Sequence, residues 1–332
     1  MGYFRFLLAL LVCANHLWII GGIGRYAVFS FYILSGYLMT EIVTGKYGTS
    51  PRGVYKYAVN RLLRIYPMYI LVFTFTIAAL YLLGEDNIKS FDSNLSLPST
   101  LKSWLMNSTL IGMDFEVKER TIPPSWTLFV ELFFYAFIPF AVKMGRRFIS
   151  LWLFVSVVYH ITILIVSQKS LLGWDDRYGT VMAGSLGFSL GCFFRTFRPH
   201  WAGSSKTMFS AVVTLTTCYA LTFVWFINGP SKIQLEIMST VFFYINIFFS
   251  AIIIYNLFNA KQSRTNRLLG DFSYPFYLLH LPVGYVVFKL TDIEARSFTL
   301  LITGTIATVG VCFIAHAFEK RINIIRDKVR SI

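Results

Sequence analysis

Long runs of apolar residues decide what this chain can fold into. All but one of the runs contain 17 to 22 residues, and about 20 helical residues cross the roughly 30 Å hydrocarbon core of a bilayer. Only 14% of the residues are charged, against about a quarter in a soluble globular protein. The sequence therefore predicts an all-α, polytopic transmembrane helical bundle. The first run is expected to be a span rather than a cleaved signal peptide, because no small-residue cleavage pattern ends it.

The runs predict about ten transmembrane helices in a single integral membrane domain that covers residues 1–332. The predicted spans are 4–23, 27–43, 66–83, 125–142, 148–166, 180–194, 208–226, 235–256, 272–290 and 297–318. Two connecting segments stand out, a basic loop at 44–65 and a polar loop at 84–124. A loop as long as 84–124 on a compact bundle is either functional, as a lid or an acceptor-binding segment, or a surface excursion.

Loop charges predict the orientation of the bundle. The loops after spans two, four, six and eight and the C-terminal segment, together with Arg5 at the start of the first span, hold 20 of the 30 Lys and Arg residues, whereas the other loops are nearly neutral. By the positive-inside rule both termini are cytoplasmic and the loop 84–124 lies on the outer side. The net charge of +14 thus reflects topology and contact with membrane lipids, and nucleic acid is not an expected partner. The four Cys residues show neither disulfide nor metal-ligand spacing, so we expect no metal site.

The first predicted span buries two ionisable residues, Arg5 and His16. Eleven residues apart, they lie on nearly the same helix face, separated by about 16 Å along the axis. Ionisable groups inside a span are costly and usually functional. The alternative is that Arg5 anchors the helix at the interface and His16 is a satisfied core histidine.

Two further ionisable residues in predicted spans, Glu131 and His280, are candidate site residues. Glu131 is about six residues below the outer boundary of the fourth span, a depth similar to that of His16, which lies about seven residues below the outer end of its own. A carboxylate beside an imidazole is the arrangement used in general base catalysis; the alternative is a buried salt link between Glu131 and an Arg. His280 lies near the middle of the ninth span, whose helix we expect Asp271 or Ser273 to cap.

Two short motifs could serve a ligand. In NRLLRIYP, Arg61 and Arg64 share a helix face and could hold one polyphosphate, although contact with anionic lipid also explains a basic loop. In FYILSGYL, the pair Ser35-Gly36 either allows close helix packing or opens room for a ligand, and packing is the simpler interpretation. Motifs of soluble nucleotide-binding or metal-dependent enzymes are absent from the sequence.

Taken in order, these motifs resemble the acyltransferase 3 family of integral membrane acyltransferases. They are R-x10-H at Arg5 and His16, FYILSGYL, NRLLRIYP, SWTLFVELFFY and LGDFSYPFYLLHLP, and they run through essentially the whole chain. The resemblance implies a ten-helix domain in the cytoplasmic (inner) membrane of a bacterium. Such a domain takes an acyl group, usually acetyl from cytoplasmic acetyl-CoA, and transfers it to a hydroxyl of a carbohydrate at the outer side.

The resemblance also implies roles for single residues. His16 corresponds to the presumed catalytic histidine, and we expect Glu131 to act with it and Trp126 and His280 to bind the acceptor. The positions expected on the donor side are Arg5, Ser35, Arg61 and Arg64. The acidic motif reads Val-Glu-Leu at Glu131, without the second acidic or Gln residue common in relatives. No esterase-like domain follows the bundle, so acceptor specificity is expected to come from the bundle and its outer loops.

These inferences combine into one hypothesis and one rival. In the hypothesis, CoA phosphates bind at Arg61 and Arg64, the pantetheine arm passes Arg5, and His16 either deprotonates the acceptor hydroxyl or first accepts the acyl group. In the rival, the chain is a transporter or flippase, because buried charge in a ten-span bundle is also typical of carriers. Only the enzyme requires an acyl-CoA donor.

Overall fold

Helices form almost all of the regular structure. The computed structural model describes residues 1–18, 22–166, 174–229, 231–258 and 260–331, and no strand is present in those ranges. The helices are α1 (Gly2–Leu17), α2 (Ile23–Ile42), α3 (Pro51–Leu83), α4 (Ile88–Phe91), α5 (Leu101–Thr109), α6 (Trp126–Met144), α7 (Arg146–Val166), α8 (Val181–Phe197), α9 (Ser205–Ile227), α10 (Lys232–Phe258), α11 (Arg264–Leu290) and α12 (Phe298–Ser331). Short 3₁₀ or π turns lie at Val43–Tyr47, Pro123–Ser125, Asp175–Gly179 and His200–Gly203.

The prediction of an all-α polytopic membrane protein is confirmed. Within the described ranges, seven helical segments are long and apolar enough to cross a bilayer, and α1 and α8 are apolar but shorter. Several large apolar side chains of α7 and α9 are exposed, including Leu151, Phe154, Phe209 and Leu221, as expected of helices that face lipid. The total of ten spans and the cytoplasmic position of both termini stay predictions.

The chain forms two compact units. Unit 1 contains residues Ile20–Val54 and Val130–Gln262, together with Met1, and therefore holds α2, most of α6, and α7 to α10. Unit 2 contains Gly2–Ile19, Tyr55–Phe129 and Ser263–Ile332, and holds α1, most of α3, α4, α5, α11 and α12.

Unit 1 is built on close contact between α2 and α8. A Cβ on Gly36 of α2 would overlap the backbone of Phe188 in α8, and a Cβ on Gly191 would overlap the backbone of Ile33. Small residues therefore let the two backbones touch, and Gly36 of the Ser35-Gly36 pair serves close helix packing. The thiol of Cys192 extends the contact through a 3.0 Å hydrogen bond from the hydroxyl of Thr40.

Unit 2 is built on α1, α11 and α12. A Cβ on Gly2 would overlap the carbonyl of Asn266, and Leu17 at the other end of α1 packs on Gly284 and Gly304. Helices α1 and α11 therefore run parallel. At the start of α1, the Tyr3 N–H donates to Asn266 Oδ1 over 2.8 Å, which fixes the register between the two helices. That register determines which residues meet at the ends of α1.

Two predicted helix ends are wrong. Helix α1 ends at Leu17, so His16 lies in its last turn rather than seven residues below its end; the chain turns early because Gly22 caps α2 in the left-handed conformation, with φ 89°. Residues 19–21 of the first predicted span lie outside the described residues. Helix α11 starts at Arg264 with Ser263 as its cap, since polar residues continue a helix beyond the apolar run when a cap is present.

Two other helices outrun their predicted spans. Helix α3 begins at Pro51, so most of the basic loop 44–65 is helical, and α12 continues through the charged segment after residue 318 as far as Ser331. Both extensions are polar, and both carry arginines that the loop charges predict to lie on the inner side. The predicted span thus marks the apolar part of each helix and not the helix itself.

Candidate active site

His16 faces a carboxylate at the end of α1. Its Nδ1 lies 3.5 Å from Oδ2 of Asp92, whose side chain is 9% exposed, whereas the His16 side chain is 27% exposed. The proton of a neutral imidazole is held on the nitrogen that faces an acceptor, which assigns the His16 proton to Nδ1. Nε2 is then the basic nitrogen, and no hydrogen bond reaches it within the described part of the chain.

The loop 84–124 brings Asp92 to this position. Asp92 follows the short helix α4, whose Phe91 packs on the rings of Tyr285 and Phe288 in α11 at centroid distances of 5.6 and 5.5 Å. The guanidinium of Arg296 donates to the carbonyl of Phe91 over 3.2 Å. The packing of Phe91 on α11 thus places Asp92 beside His16. The loop is an ordered part of unit 2.

Electrostatics keep Asp92 ionised. Burial opposes the charge and acts to raise the pKa of Asp92, but the hydrogen bond of His16, the hydrogen bond of the Asn94 N–H and the charge of Arg296 together hold that pKa below its usual value. The Asn94 N–H donates to Oδ1 over 2.9 Å. One carboxylate oxygen is thus held by the backbone, and the other is left for His16.

His280 lies beside His16. Their ring centroids are 5.4 Å apart with an interplanar angle of 48°, and the His280 side chain is fully buried. Its Nδ1 lies 2.8 Å from the carbonyl oxygen of Tyr277, and the Tyr277 hydroxyl shares a 2.7 Å hydrogen bond with Thr127. Two imidazoles and one carboxylate therefore meet in unit 2, together with the segment that follows the outer loop.

Trp126 lies at the end of that loop. It is the first residue of α6, follows the turn Pro123–Ser125, and packs edge-on against Phe115 at a centroid distance of 5.0 Å. Prolines in the turn pre-set the entry into the helix. The position next to Thr127 puts Trp126 in the same short stretch of unit 2 that contacts Tyr277.

The predicted donor-side arginines also belong to unit 2. Arg5 is partly exposed and lies on α1 with His16, eleven residues away. Arg61 is 7% exposed and donates to Asn60 Oδ1 over 2.5 Å. Arg64 forms an ion pair with Glu319 of α12 and lies 5.7 Å from the ring centroid of Tyr274. Arg61 and Arg64 lie on one helix, as predicted, but in this structure they bind protein partners.

Ser35 and Glu131 belong to unit 1 and form a cluster there. The Ser35 hydroxyl donates to Glu131 Oε1 over 2.5 Å, and the Tyr135 hydroxyl donates to the same oxygen over 2.6 Å. Glu131 is partly exposed. The cluster is therefore a carboxylate held by two hydroxyls, and the carboxylate beside His16 is that of Asp92.

Sequence reasoning missed two residues of these clusters. Asp92 lies 76 positions from His16 in a loop with several other acids, and its one signal is the apolar Phe91 before it, which indicates a buried neighbour. Tyr135 could have been found, because residues four apart on a helix are neighbours and Glu131 occupies the other position. His160 lies in the fifth predicted span, where we expect a packing residue or a polar helix contact, and its ring nitrogens contact the Tyr244 hydroxyl and the carbonyl of Ala183.

Among the residues described, no group of three or more His, Cys, Asp or Glu side chains could hold a metal ion. The chemistry that the site offers is that of acids, bases and hydrogen bonds. An Asp–His pair of this kind can accept a proton from a hydroxyl while the carboxylate stabilises the resulting imidazolium.

Comparison with known proteins identifies the family. The family model described as an acyltransferase domain, that of the acyltransferase 3 family, matches residues 1–317. Searches of curated proteins and of solved structures found no match. The family match extends over both units and includes the residues of the clusters above, except Glu319. The chain belongs to the acyltransferase 3 family and is a multi-pass membrane acyltransferase.

Proposed function

We propose that the protein transfers an acetyl group from cytoplasmic acetyl-CoA to a hydroxyl of an extracytoplasmic carbohydrate, such as a cell-surface polysaccharide, across the inner membrane of a bacterium. Family membership supports acyl transfer in a membrane. The predicted orientation places the basic ends of the helices inside and the loop 84–124 outside. Donor and acceptor would therefore reach the site from opposite sides.

The pairing of His16 with Asp92 carries the proposal. Nε2 of His16 takes the proton of the acceptor hydroxyl, and the alkoxide oxygen forms a bond to the thioester carbonyl carbon. The carbon–sulfur bond then breaks, and the CoA thiolate takes the proton back from His16. The Asp92 carboxylate at 3.5 Å stabilises the imidazolium between these steps. Positive charge develops on His16 only during transfer, so this contact is stronger in the transition state than in the ground state.

Arg5, Arg61 and Arg64 serve the donor in this proposal. The CoA phosphates exchange with Glu319 as partners of Arg64, and arginines are well suited to hold phosphate groups. Arg5 and His16 share α1 at about 16 Å along its axis, a distance that the extended pantetheine arm of CoA can cover. We assign Ser35 to donor binding on the family motif alone.

The acceptor roles go to Trp126 and His280. Both lie in unit 2 with the pair of His16 and Asp92. Trp126 follows the outer loop, and His280 contacts Tyr277, whose hydroxyl bonds to Thr127 in the same segment. Aromatic rings bind sugar faces well, and a buried histidine offers a directed hydrogen bond. Glu131 is proposed as a second catalytic carboxylate, since both hydroxyl donors occupy Oε1 and leave Oε2 for other groups. Glu131→Gln should lower kcat and leave the protein folded.

Thiol release from acetyl-CoA by the purified protein tests the function. Wild-type protein should release CoA thiol in an acceptor-dependent manner, and His16→Ala should abolish release while the protein stays folded and inserted. His200→Ala is the matched control, because His200 is exposed in the turn after α8 and its loss should leave the rate unchanged. Wild-type rates in His16→Ala would refute the proposal, and transport without CoA dependence would favour a carrier.

A further inference from the structure

Among the residues that the structure describes, none bonds to one of the two ring nitrogens of His280. A carbonyl oxygen only accepts hydrogen bonds, so the 2.8 Å contact with the Tyr277 carbonyl assigns the ring proton to Nδ1 and leaves a lone pair on Nε2. The His280 side chain is 0% exposed, and no group in the described part of the chain donates to Nε2. Because a buried acceptor is costly to leave unsatisfied, this nitrogen points to a ligand that brings an O–H or N–H.

The roles of the two histidines differ because their surroundings differ. Asp92 lies against His16, so a positive charge on His16 is stabilised. The ring of His280 is fully buried, and its recorded contacts are with the His16 ring, the ring of Tyr277 and the backbone carbonyls of Tyr277 and Phe276. The Asp92 carboxylate makes its direct contact with His16, and burial without a direct carboxylate contact disfavours a charge. The reacting proton therefore goes to His16, and His280 acts only as a hydrogen-bond acceptor.

The position of His280 favours the acceptor over the donor as its ligand. One turn further along α11, Tyr285 donates its hydroxyl to the carbonyl of Gly84, where the outer loop begins. The Tyr277 hydroxyl bonds to Thr127 over 2.7 Å, just after that loop ends. The histidine is thus bracketed by contacts with the two ends of the loop, whereas the basic residues of the donor side lie near the opposite end of α1.

Building on the proposed function, we propose that His280 Nε2 accepts a hydrogen bond from a second hydroxyl of the acceptor, next to the one that is acylated. The acceptor is then a vicinal diol, as found on a pyranose ring. Oxygens on adjacent carbons lie about one hydrogen-bond length apart, and each needs a nitrogen at roughly 2.7–3.2 Å. Two imidazoles with centroids 5.4 Å apart are close enough for each to take one of these oxygens. His280 forms no covalent bond and keeps its proton, and it determines specificity.

The test compares acceptors that differ by one hydroxyl. Full-length protein in lipid nanodiscs is supplied with acetyl-CoA and with methyl glycopyranosides or their monodeoxy analogues, and ester formation is measured for wild type, His280→Ala and His280→Gln. Wild type should use the diol at least about tenfold faster than the deoxy analogue, the factor expected for one lost hydrogen bond. His280→Ala should reduce the rate on the diol to that on the analogue. His280→Gln, whose amide oxygen can accept, should restore part of the preference.

The outcomes separate this inference from the proposed function. An undiminished preference in His280→Ala, an equal fall on both acceptors in that variant, or a wild type that acetylates none of the diols or does not discriminate would each overturn the role of His280. Transfer by His16→Ala would instead overturn the proposed function. If His280→Ala does not fold, the wild-type preference and the His280→Gln variant decide the matter, because both concern folded protein.

Discussion

Replacing Asp92 with Asn tests the centre of the proposed mechanism. The amide has the shape of the carboxylate, and its oxygen can keep the 2.9 Å hydrogen bond from the Asn94 N–H. What changes is the charge that faces His16 Nδ1. An amide also allows its NH₂ group to face the ring, which would favour the wrong tautomer of His16. The variant therefore removes an electrostatic effect while leaving the packing around Phe91 in place.

The distance sets the size of the effect. Opposite unit charges 3.5 Å apart attract by about 5 kcal/mol at an effective dielectric constant of about 20. His16 is 27% exposed, so water weakens this attraction, and about 3–4 kcal/mol is a reasonable share for the transition state. Since about 1.4 kcal/mol corresponds to tenfold in rate, we expect Asp92→Asn to lower kcat by about 10²- to 10³-fold.

The assay is thiol release from saturating acetyl-CoA with a fixed acceptor. The KM for acetyl-CoA should change little, because Asp92 is not among the residues proposed to bind the donor, which are Arg5, Arg61 and Arg64. Asp86→Asn is the control, since Asp86 lies in the same loop with an exposed side chain and should leave kcat unchanged. A kcat within threefold of wild type in folded Asp92→Asn protein would refute the reasoning. So would an equal loss in Asp86→Asn.

Three further predictions concern stability and donor binding. Because the pKa of Asp92 is held below its usual value, wild type should be more stable than Asp92→Asn above about pH 4, and the difference should vanish as the pH falls through the lowered pKa; thermal unfolding at a series of pH values measures it. Gly36→Ala should destabilise by about 1–3 kcal/mol because its Cβ meets the backbone of α8, whereas Gly310→Ala, with no atom within 4 Å, should be neutral or slightly stabilising in the same assay. Arg64→Ala should cost about 3–5 kcal/mol because it leaves Glu319 buried without its cation, and the double variant Arg64→Gln/Glu319→Gln should recover most of the stability while keeping a raised KM for acetyl-CoA; an unchanged KM would contradict the donor role.

Local patterns were enough to predict the helical class and much of the candidate site. The apolar runs place the helices because burial in lipid demands internally bonded backbone. The eleven-residue spacing of Arg5 and His16 holds on α1 because that helix is continuous between them. The sequence also singled out His280, and the structure places it against His16. The positions of the helices and the spacing of Arg5 and His16 depend on periodicity along one helix, which a sequence displays directly.

Features that depend on contacts between distant segments could not be predicted. Asp92 reaches His16 because Phe91 packs on α11, and no spacing in the sequence records that contact. The early end of α1 depends on the left-handed conformation of Gly22, which competes with an uninterrupted apolar run. The start of α11 depends on the cap Ser263, nine residues before the apolar segment. In each case a tertiary or capping interaction outweighs hydropathy.

Because Asp92 belongs to the loop 84–124, the reactivity of His16 depends on whether this loop is packed on α11. If the loop lifts from α11, the carboxylate leaves with it, and His16 loses the charge that makes it an effective base. In the proposed mechanism, a protein with the loop lifted would bind the acyl donor without activating a nucleophile. The bound thioester would then be protected from hydrolysis by water. When the loop closes over an acceptor, Asp92 returns to His16 and makes it an effective base while the acceptor hydroxyl is present.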